Sequence, residues 1–183
     1  MADLFEQFVS DYLTENGYLT KLNVGYCKAD GKGSNSDIDV LAMHGKNQDV
    51  IVGDCKSWQG GFSGDWILES STAGAERERG YFKPVFREEC AQGLKKRVNE
   101  EFGVSDFVYK IFCARRFGGF ERLTGERTVA GNPIEVVTLQ DIVTQTVQRV
   151  KAKPNQSVEP TTLGRMVQLL LAADVRLEIR STG

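Results

Sequence analysis

The sequence has a single histidine, His44, among its 183 residues. Sites built on two or more histidines are therefore excluded. This removes the His-Glu-x-x-His metalloproteases, the Cys2His2 zinc fingers and the two-histidine iron centres. A catalytic metal, if the protein uses one, must be held by carboxylates.

Cysteines are few and scattered, and long apolar runs are absent. The four cysteines lie too far apart to form Cys-x-x-Cys pairs, and no secretory apolar segment occurs at the amino end. Both features predict a reduced, cytoplasmic protein. No apolar run approaches the roughly 20 residues that cross a bilayer, so we expect no membrane partner.

Neither sign of charge is in excess. The chain has 23 Lys and Arg against 25 Asp and Glu, a net charge of -2. A nucleic acid would therefore have to be bound by a local basic patch rather than by the protein as a whole. The hydrophobic content of 40% is enough to build one core of ordinary size.

The first third of the chain predicts one helix and three strands. Apolar residues at helical spacing indicate a helix over residues 2–16, ending near Gly17. Strands are predicted over 19–27, 38–44 and 49–57, the last two joined as a hairpin by the turn 45–48. Apolar residues on both faces of this hairpin are typical of the centre of a sheet that is covered on both sides.

The rest of the chain alternates helices with strands. We predict a glycine-rich loop at 59–65, a helix from Pro84 to Gly103, a strand at 107–114, a polar stretch at 115–131, a strand at 134–139 and a helix at 141–150. This order indicates an α/β fold with a mixed central sheet. Residues 1–150 would form the main domain, 151–160 a linker, and 161–183 a carboxy-terminal helix and strand appendage that is a candidate for homodimerisation.

The hairpin places acidic side chains together. With an even turn, residue i pairs with residue 93 minus i, so Asp39 faces Asp54 and Asp37 faces Lys56. Two carboxylates about 5 Å apart repel by roughly 3 kcal/mol at an effective dielectric near 20. A divalent cation such as Mg²⁺ would offset this repulsion. The alternative is a structural ion pair between Asp54 and Lys56 at the end of a strand.

These residues resemble the motif of the PD-(D/E)xK nuclease superfamily, most closely its Mrr-type restriction and Holliday-junction-resolvase-like members. The resemblance covers residues 1–58, with Glu6 in FEQFVSDYLTENGY, Asp39 in SDIDVLA and Asp54-Cys55-Lys56 in VIVGDCKSW. It implies a restriction-endonuclease-like αβββαβ core. The sequence departs from the pattern at Ile38, where the family has proline, and at Asp54, where glutamate is commoner; these departures leave the subfamily open.

The resemblance also implies roles for these residues. Asp39, Asp54 and the backbone carbonyl of Cys55 would bind Mg²⁺, for which Mn²⁺ could substitute, and Lys56 would be the catalytic lysine. Glu6 would reach the metal directly or through water. Its alternative is an exposed acid near the positive end of the helix dipole. Asp37 is either a partner of Lys56 or a solvated acid at the start of a strand.

Several residues near this motif are candidates for nucleic-acid contact. Basic and aromatic groups beside flexible backbone can meet phosphates and bases. The candidates are Lys28, Lys32, Ser57, Trp58, Arg115 and Arg116. Trp58, Phe62 and Trp66 would either stack on bases or close a lid over the core, and the basic run from Lys95 favours ion pairs on a helix surface over a nucleic-acid groove.

Together these observations predict a metal-dependent endonuclease that hydrolyses phosphodiester bonds. DNA is the favoured substrate, and RNA remains an alternative. Two other functions stay open: a catalytically inactive nucleic-acid-binding module of the same fold, and a partner-binding subunit that a metal stabilises.

Overall fold

Five strands form one mixed sheet in the part of the chain that the computed structural model describes, which comprises residues 3–28, 36–58, 61, 63–69, 72–115, 118–153 and 158–173. The strand order is β1-β2-β3-β4-β5. The first two neighbouring pairs are antiparallel and the last two are parallel. The strands are β1 (Tyr18–Tyr26), β2 (Ser36–His44), β3 (Val50–Lys56), β4 (Val108–Cys113) and β5 (Ile134–Thr138).

Helices cover both faces of this sheet, which confirms the predicted α/β class. They are α1 (Leu4–Glu15), α2 (Gly64–Glu69), α3 (Ala73–Arg79), α4 (Lys83–Phe86), α5 (Glu88–Phe102), α6 (Phe120–Glu126), α7 (Leu139–Ala152) and α8 (Thr162–Ala172). None of these helices is long and apolar enough to cross a membrane.

Two apolar clusters lie on opposite faces of the sheet. The first is built on Leu41, Val52 and Ile111, and α2, α4, α5 and α6 pack over it. The second contains Val40, Ala42 and Phe112 of the sheet, and α1, α7 and α8 pack over it. The central strands are therefore buried on both sides, which explains why their sequences are almost continuously apolar.

The predicted register of the hairpin is confirmed over four residue pairs. They run from Val40 with Gly53 to Met43 with Val50, and each pair sums to 93. The predicted first helix and all three amino-terminal strands are present, with ends shifted by one or two residues.

The helix predicted from Pro84 to Gly103 is wrong in one respect, because two helices occupy this stretch. Arg87 is extended, with φ -132° and ψ 111°, and separates α4 from α5. Apolar residues before and after this break face the same cluster. The periodicity therefore continues through a single non-helical residue and does not reveal it.

The predicted glycine-rich loop at 59–65 and the predicted polar stretch at 115–131 both contain helical residues. α2 begins at Gly64, within the predicted loop, and α3 follows it. α6 forms within the predicted polar stretch, where Phe120 and Leu123 are both buried. Two apolar residues three apart were too weak a signal to indicate a helix.

The carboxy-terminal helix packs onto the main domain. Leu163 and Val167 of α8 belong to the second cluster. The backbone N–H of Leu163 donates a hydrogen bond of 2.9 Å to Asp11 of α1. The strand of the predicted appendage is expected after the helix, where residues 174–183 lie outside the described part of the chain, as does part of the predicted linker.

Candidate active site

The site lies where β2 and β3 separate. Their backbone pairing extends only to Val40 with Gly53, whereas β3 continues to pair with β4 as far as Lys56. Beyond the last pair, the carboxylate of Asp39 accepts a hydrogen bond from the backbone N–H of Cys55 at 2.6 Å. A side chain thus takes the place of a backbone acceptor, and the two strands form an open fork.

An irregularity in β1 accompanies this fork. Pairing between β1 and β2 is interrupted opposite Asp39, at Asn23, which has a φ of +53°. The side chains of Leu22 and Val24 point into opposite clusters although they are two residues apart. The regular alternation of a strand is therefore shifted at this point.

A pocket of about 350 Å³ opens at the fork. It is lined by the three acidic residues and the lysine that the predicted hairpin register brings together. Its opposite side is formed by Gly80 and Tyr81, in the turn before α4, and by Leu94 of α5. Its charged lining residues are Asp37, Asp39, Asp54, Lys56 and Lys83.

Asp54 is held at the floor of this pocket by two donors. Its Oδ1 accepts a hydrogen bond from Lys56 Nζ, and its Oδ2 accepts one of 2.7 Å from the hydroxyl of Tyr109 on β4. The side chain of Asp54 is only 11% exposed. A carboxylate with both oxygens bonded has a defined orientation, which a metal ligand or catalytic acid requires.

The negatively charged form of Asp39 is disfavoured in the pocket. Burial raises its pKa, and the negative charge of Asp54 raises it further; the hydrogen bond from Cys55 and the charge of Lys56 act in the opposite direction. The result is a pKa of about 7, far above its ordinary value. Near neutral pH, the pocket therefore gains stability from any added positive charge close to Asp39.

Lys56 is a buried ammonium group that keeps its proton. Burial lowers its pKa, but the charge of Asp54 and the hydrogen bond to it outweigh this effect, so that the pKa lies above its ordinary value. Its Nζ also lies 5.5 Å from the centre of the Phe82 ring. Lys56 therefore supplies a positive charge, and not a base, at neutral pH.

Glu6 helps to cap the amino-terminal end of α1. Its carboxylate accepts a hydrogen bond of 3.1 Å from the backbone N–H of Asp3, while Asp3 caps the backbone of Glu6 in return. This capping box fixes the start of α1. Glu6 also raises the pKa of Asp39 electrostatically, so it lies near the pocket, and its contact with a metal stays a prediction.

The donor set suits a metal only in part. Among the described residues, no group of three or more His, Cys, Asp or Glu side chains is arranged to hold a metal ion. Asp39 and Asp54 form a pair of carboxylates whose mutual repulsion a cation would relieve. Two protein carboxylates suit Mg²⁺, because it retains several water or phosphate ligands.

The candidates for nucleic-acid contact are distributed unevenly around the pocket. Ser57 is exposed and its hydroxyl lies 3.5 Å from a carboxylate oxygen of Asp3. Trp58 is half-buried, and its ring meets those of Tyr81 and Phe82 edge to face at 5.0 and 6.1 Å. Arg115 is exposed beyond the end of β4. Lys32, Arg116 and Phe62 lie outside the described residues.

The last of these candidates, Lys28, and the basic run from Lys95 lie on or near α5. Lys28 lines a second groove beside that helix. Lys96 and Arg97 form ion pairs with Glu100, and Arg97 also pairs with Glu101. The predicted pairing along the helix surface is thus confirmed.

Sequence reasoning missed two residues of the pocket, Tyr109 and Lys83. Tyr109 lies on a parallel strand that is 55 residues from its partner Asp54 in sequence. Only an aromatic residue with a polar tip in a predicted buried strand could have indicated it, because a buried tyrosine hydroxyl needs a partner. Lys83 directly precedes Pro84, and no sequence signal relates it to the hairpin.

Comparisons with known proteins do not assign a family. No protein-family model matches the chain, and no curated protein matches it. Among solved structures, the chain is similar to the crystal structure of a protein of unknown function, AF1548. The TM-score is 0.46 at 14% identity, and the match covers 94% of this chain and 79% of that chain.

Proposed function

We propose that this protein is a metal-dependent nuclease with a restriction-endonuclease-like core, and that it hydrolyses phosphodiester bonds in DNA. The observation that carries this proposal is the joint presence of Asp39, Asp54 and Lys56 in one pocket at the fork of the sheet. Two acids can hold an oxygen-ligated cation and a lysine can stabilise charge on a phosphate, so this set can support metal-assisted hydrolysis without histidine.

The electrostatics of the pocket support the proposed cation. Burial of Asp39 and the nearby charge of Asp54 together raise the pKa of Asp39 to about 7. Asp39 and Asp54 would hold Mg²⁺, with the carbonyl of Cys55 and with Glu6 directly or through water; Mn²⁺ suits the same oxygen ligands. When bound, such an ion lowers the pKa of a water ligand and neutralises charge on a phosphate.

The residues of the chain have separate tasks in this proposal. Lys56, held as an ammonium group beside Asp54, stabilises negative charge that develops on the phosphate oxygens. Tyr109, on the neighbouring strand β4, keeps the Asp54 carboxylate in one orientation through its hydrogen bond.

The proposal is tested by cleavage of a mixed panel: supercoiled plasmid, linear duplex, four-way junction, single-stranded DNA and RNA, each with Mg²⁺, Mn²⁺ or EDTA. We expect cleavage with either metal and none with EDTA. Asp39→Asn, Asp54→Asn and Lys56→Ala should each lower the rate at least a hundredfold, since each removes a charge that the transition state needs.

Lys110→Ala is the matched control for Lys56→Ala. Lys110 is also a partly buried strand lysine in an ion pair, with Glu135 at 2.8 Å, but it does not line the pocket. Its loss should leave the rate unchanged. Equal cleavage by wild type and all three pocket variants would overturn the proposal, whereas DNA binding without cleavage under any metal would favour the inactive binding module.

A further inference from the structure

Basic side chains from outside α5 lie beside this helix and next to the acidic pocket. Lys83 lines the pocket itself, together with Leu94 of α5. Lys28 lines a neighbouring groove of about 330 Å³ together with Gly93 of the same helix. Tyr26 lines both spaces, so the groove lies next to the pocket.

The backbone fixes Lys28 against the helix. A Cβ atom at Gly93 would lie 2.1 Å from the carbonyl oxygen of Cys27 and 3.0 Å from Cα of Lys28. Only glycine allows this approach. Because Arg87 precedes Gly93 by six residues, the two lie about 9 Å apart along the helix axis.

Lys28, Lys83 and Arg87 all lie near one buried residue, Cys90, which comes between Arg87 and Gly93 in the sequence. Burial raises the pKa of the Cys90 thiol and the charge of Glu89 raises it further, while Lys28, Arg87 and Lys83 act in the opposite direction. All three cations are therefore close enough to Cys90 to act on it. We call Lys28, Lys83 and Arg87 the basic strip.

The basic strip has no acidic partner among the described residues. No Asp or Glu there lies within 4.0 Å of its three charged groups. Glu88 and Glu89 lie on the same helix, and Glu88 accepts a hydrogen bond from Gln92 at 2.6 Å. By contrast, Arg97, at the far side of the groove, is paired with two acids. Among the described residues, the three cations of the basic strip thus form no direct ion pair.

We propose that the basic strip binds the phosphate backbone of the DNA segment that flanks the bond held in the pocket. This inference rests on the proposed nuclease function. Arg87 and Gly93, the residue against which Lys28 lies, are about 9 Å apart along the helix axis, which corresponds to two to three nucleotides at the rise of 3.4 Å per nucleotide in one strand. Contacts of this kind position the substrate without reading its sequence. They also explain how a protein with a net charge of -2 can hold a polyanion next to an acidic pocket.

Binding of a fluorescein-labelled 30-base-pair duplex, followed by anisotropy in EDTA at 50–200 mM KCl, tests the strip without cleavage. The test variant is the triple change Lys28→Gln, Lys83→Gln and Arg87→Gln. The control triple, Lys46→Gln, Lys110→Gln and Lys151→Gln, changes the net charge equally at positions outside the strip and pocket. Thermal unfolding of both variants checks that they fold, and a second variant with Lys28→Arg and Lys83→Arg keeps the charges.

Each phosphate contact contributes about 0.9 to the slope of log affinity against log salt. We expect the test triple to lower this slope by about 2.7 and to weaken binding, while the control triple and the Lys→Arg variant bind like wild type. Equal weakening by both triples, no weakening by the test triple, or no binding of DNA by the wild type would overturn the proposal.

The two proposals fail in different ways. If the wild type binds DNA through the strip but cleaves nothing with Mg²⁺ or Mn²⁺, the nuclease proposal fails and the strip stands as a DNA-binding surface. If the test triple cleaves DNA with the kcat/KM of wild type, the strip proposal fails and the nuclease function stands.

Discussion

At the scale of single residues, the orientation of Asp54 depends on a tyrosine hydroxyl. Tyr109 is fully buried and donates to Asp54 at 2.7 Å. Tyr109→Phe leaves a buried carboxylate oxygen without its donor. We expect a loss of about 1.5–3 kcal/mol in the free energy of unfolding, the usual contribution of a hydrogen bond to a charged group, and a higher Mg²⁺ concentration for half-maximal activity.

Urea denaturation and a Mg²⁺ titration of activity measure the two effects. The control is Tyr18→Phe, since the Tyr18 ring packs edge to face on His44, outside the pocket. An unchanged Mg²⁺ requirement in Tyr109→Phe would show that the tyrosine contributes only to stability.

The raised pKa of Asp39 predicts how stability depends on pH. Its pKa is about 7 in the folded protein, against 3.8 ordinarily. Between pH 3.8 and pH 7, the folded state therefore keeps a proton on Asp39 that the unfolded state has released. Stability contributed by this group is complete below pH 4 and is lost as the pH rises through 7. The shift corresponds to at most about 4 kcal/mol.

In EDTA, we therefore expect wild type to lose unfolding free energy between pH 5 and 8, and Asp39→Asn to lose much less. The exposed Asp106 provides the control, Asp106→Asn, which should keep the wild-type dependence. Added Mg²⁺ should stabilise wild type at pH 8 more than Asp39→Asn. Parallel pH curves for wild type and Asp39→Asn would contradict this account.

The site was predictable where it depends on local pairing. The hairpin turn determines which residues of β2 and β3 oppose one another, so that alternation alone brought Asp39, Asp54 and Lys56 together. Tyr109 and Lys83 could not be predicted, because their positions depend on a parallel crossover and on the turn before α4. No local pattern determines how such distant segments dock.

At the scale of elements, a buried group of charges joins α8 to α1 and α7. The carboxylates of Glu15 and Glu159 are 1% and 0% exposed, and Arg149 forms ion pairs with both. Burial raises the pKa of Glu159, but hydrogen bonds from Lys153 and Arg149 outweigh this effect and lower it. The position of α8 therefore depends on compensated charge as well as on apolar contact.

Arg149→Met should cost about 3–5 kcal/mol at neutral pH, since it leaves the buried carboxylate of Glu15 without its ion-pair partner and leaves Glu159 paired with Lys153 alone. Urea denaturation at pH 7 measures this cost, and the difference from wild type should shrink near pH 4, where carboxylates can take up protons. Lys151→Met, at an exposed position on the same helix, is the control. A cost below 1 kcal/mol at pH 7 would show that the ion pairs contribute little.

Helices with a strong amphipathic pattern could be predicted from the sequence, and helices with few apolar residues could not. α1 and α7 have strong amphipathic patterns and capping boxes at Asp3 and Thr138, and both were predicted. α6, with two buried side chains in a polar stretch, was not. The break at Arg87 could not be predicted, because the apolar residues of both flanking helices face the same cluster. Only tertiary packing distinguishes one bent helix from two.

At the scale of the whole molecule, one sheet separates two clusters that hold different parts of the chain. Trp58 packs against the first cluster, beside the pocket, while Leu163 of α8 is fully buried in the second. Because the central strands contribute side chains to both clusters, neither cluster can come apart without disturbing the sheet. Residues 158–173 should therefore unfold together with the main domain.

Leu163→Ala tests this coupling. Removal of a fully buried leucine side chain should cost about 2–5 kcal/mol. The tryptophan fluorescence transition in urea should shift by the same amount as the far-UV circular dichroism transition, although Trp58 lies on the opposite face of the sheet. Leu169→Ala, in which the replaced side chain is 54% exposed on the same helix, should shift neither. A fluorescence transition unchanged in Leu163→Ala, with circular dichroism showing an early separate step, would instead identify α8 as an independently folding appendage.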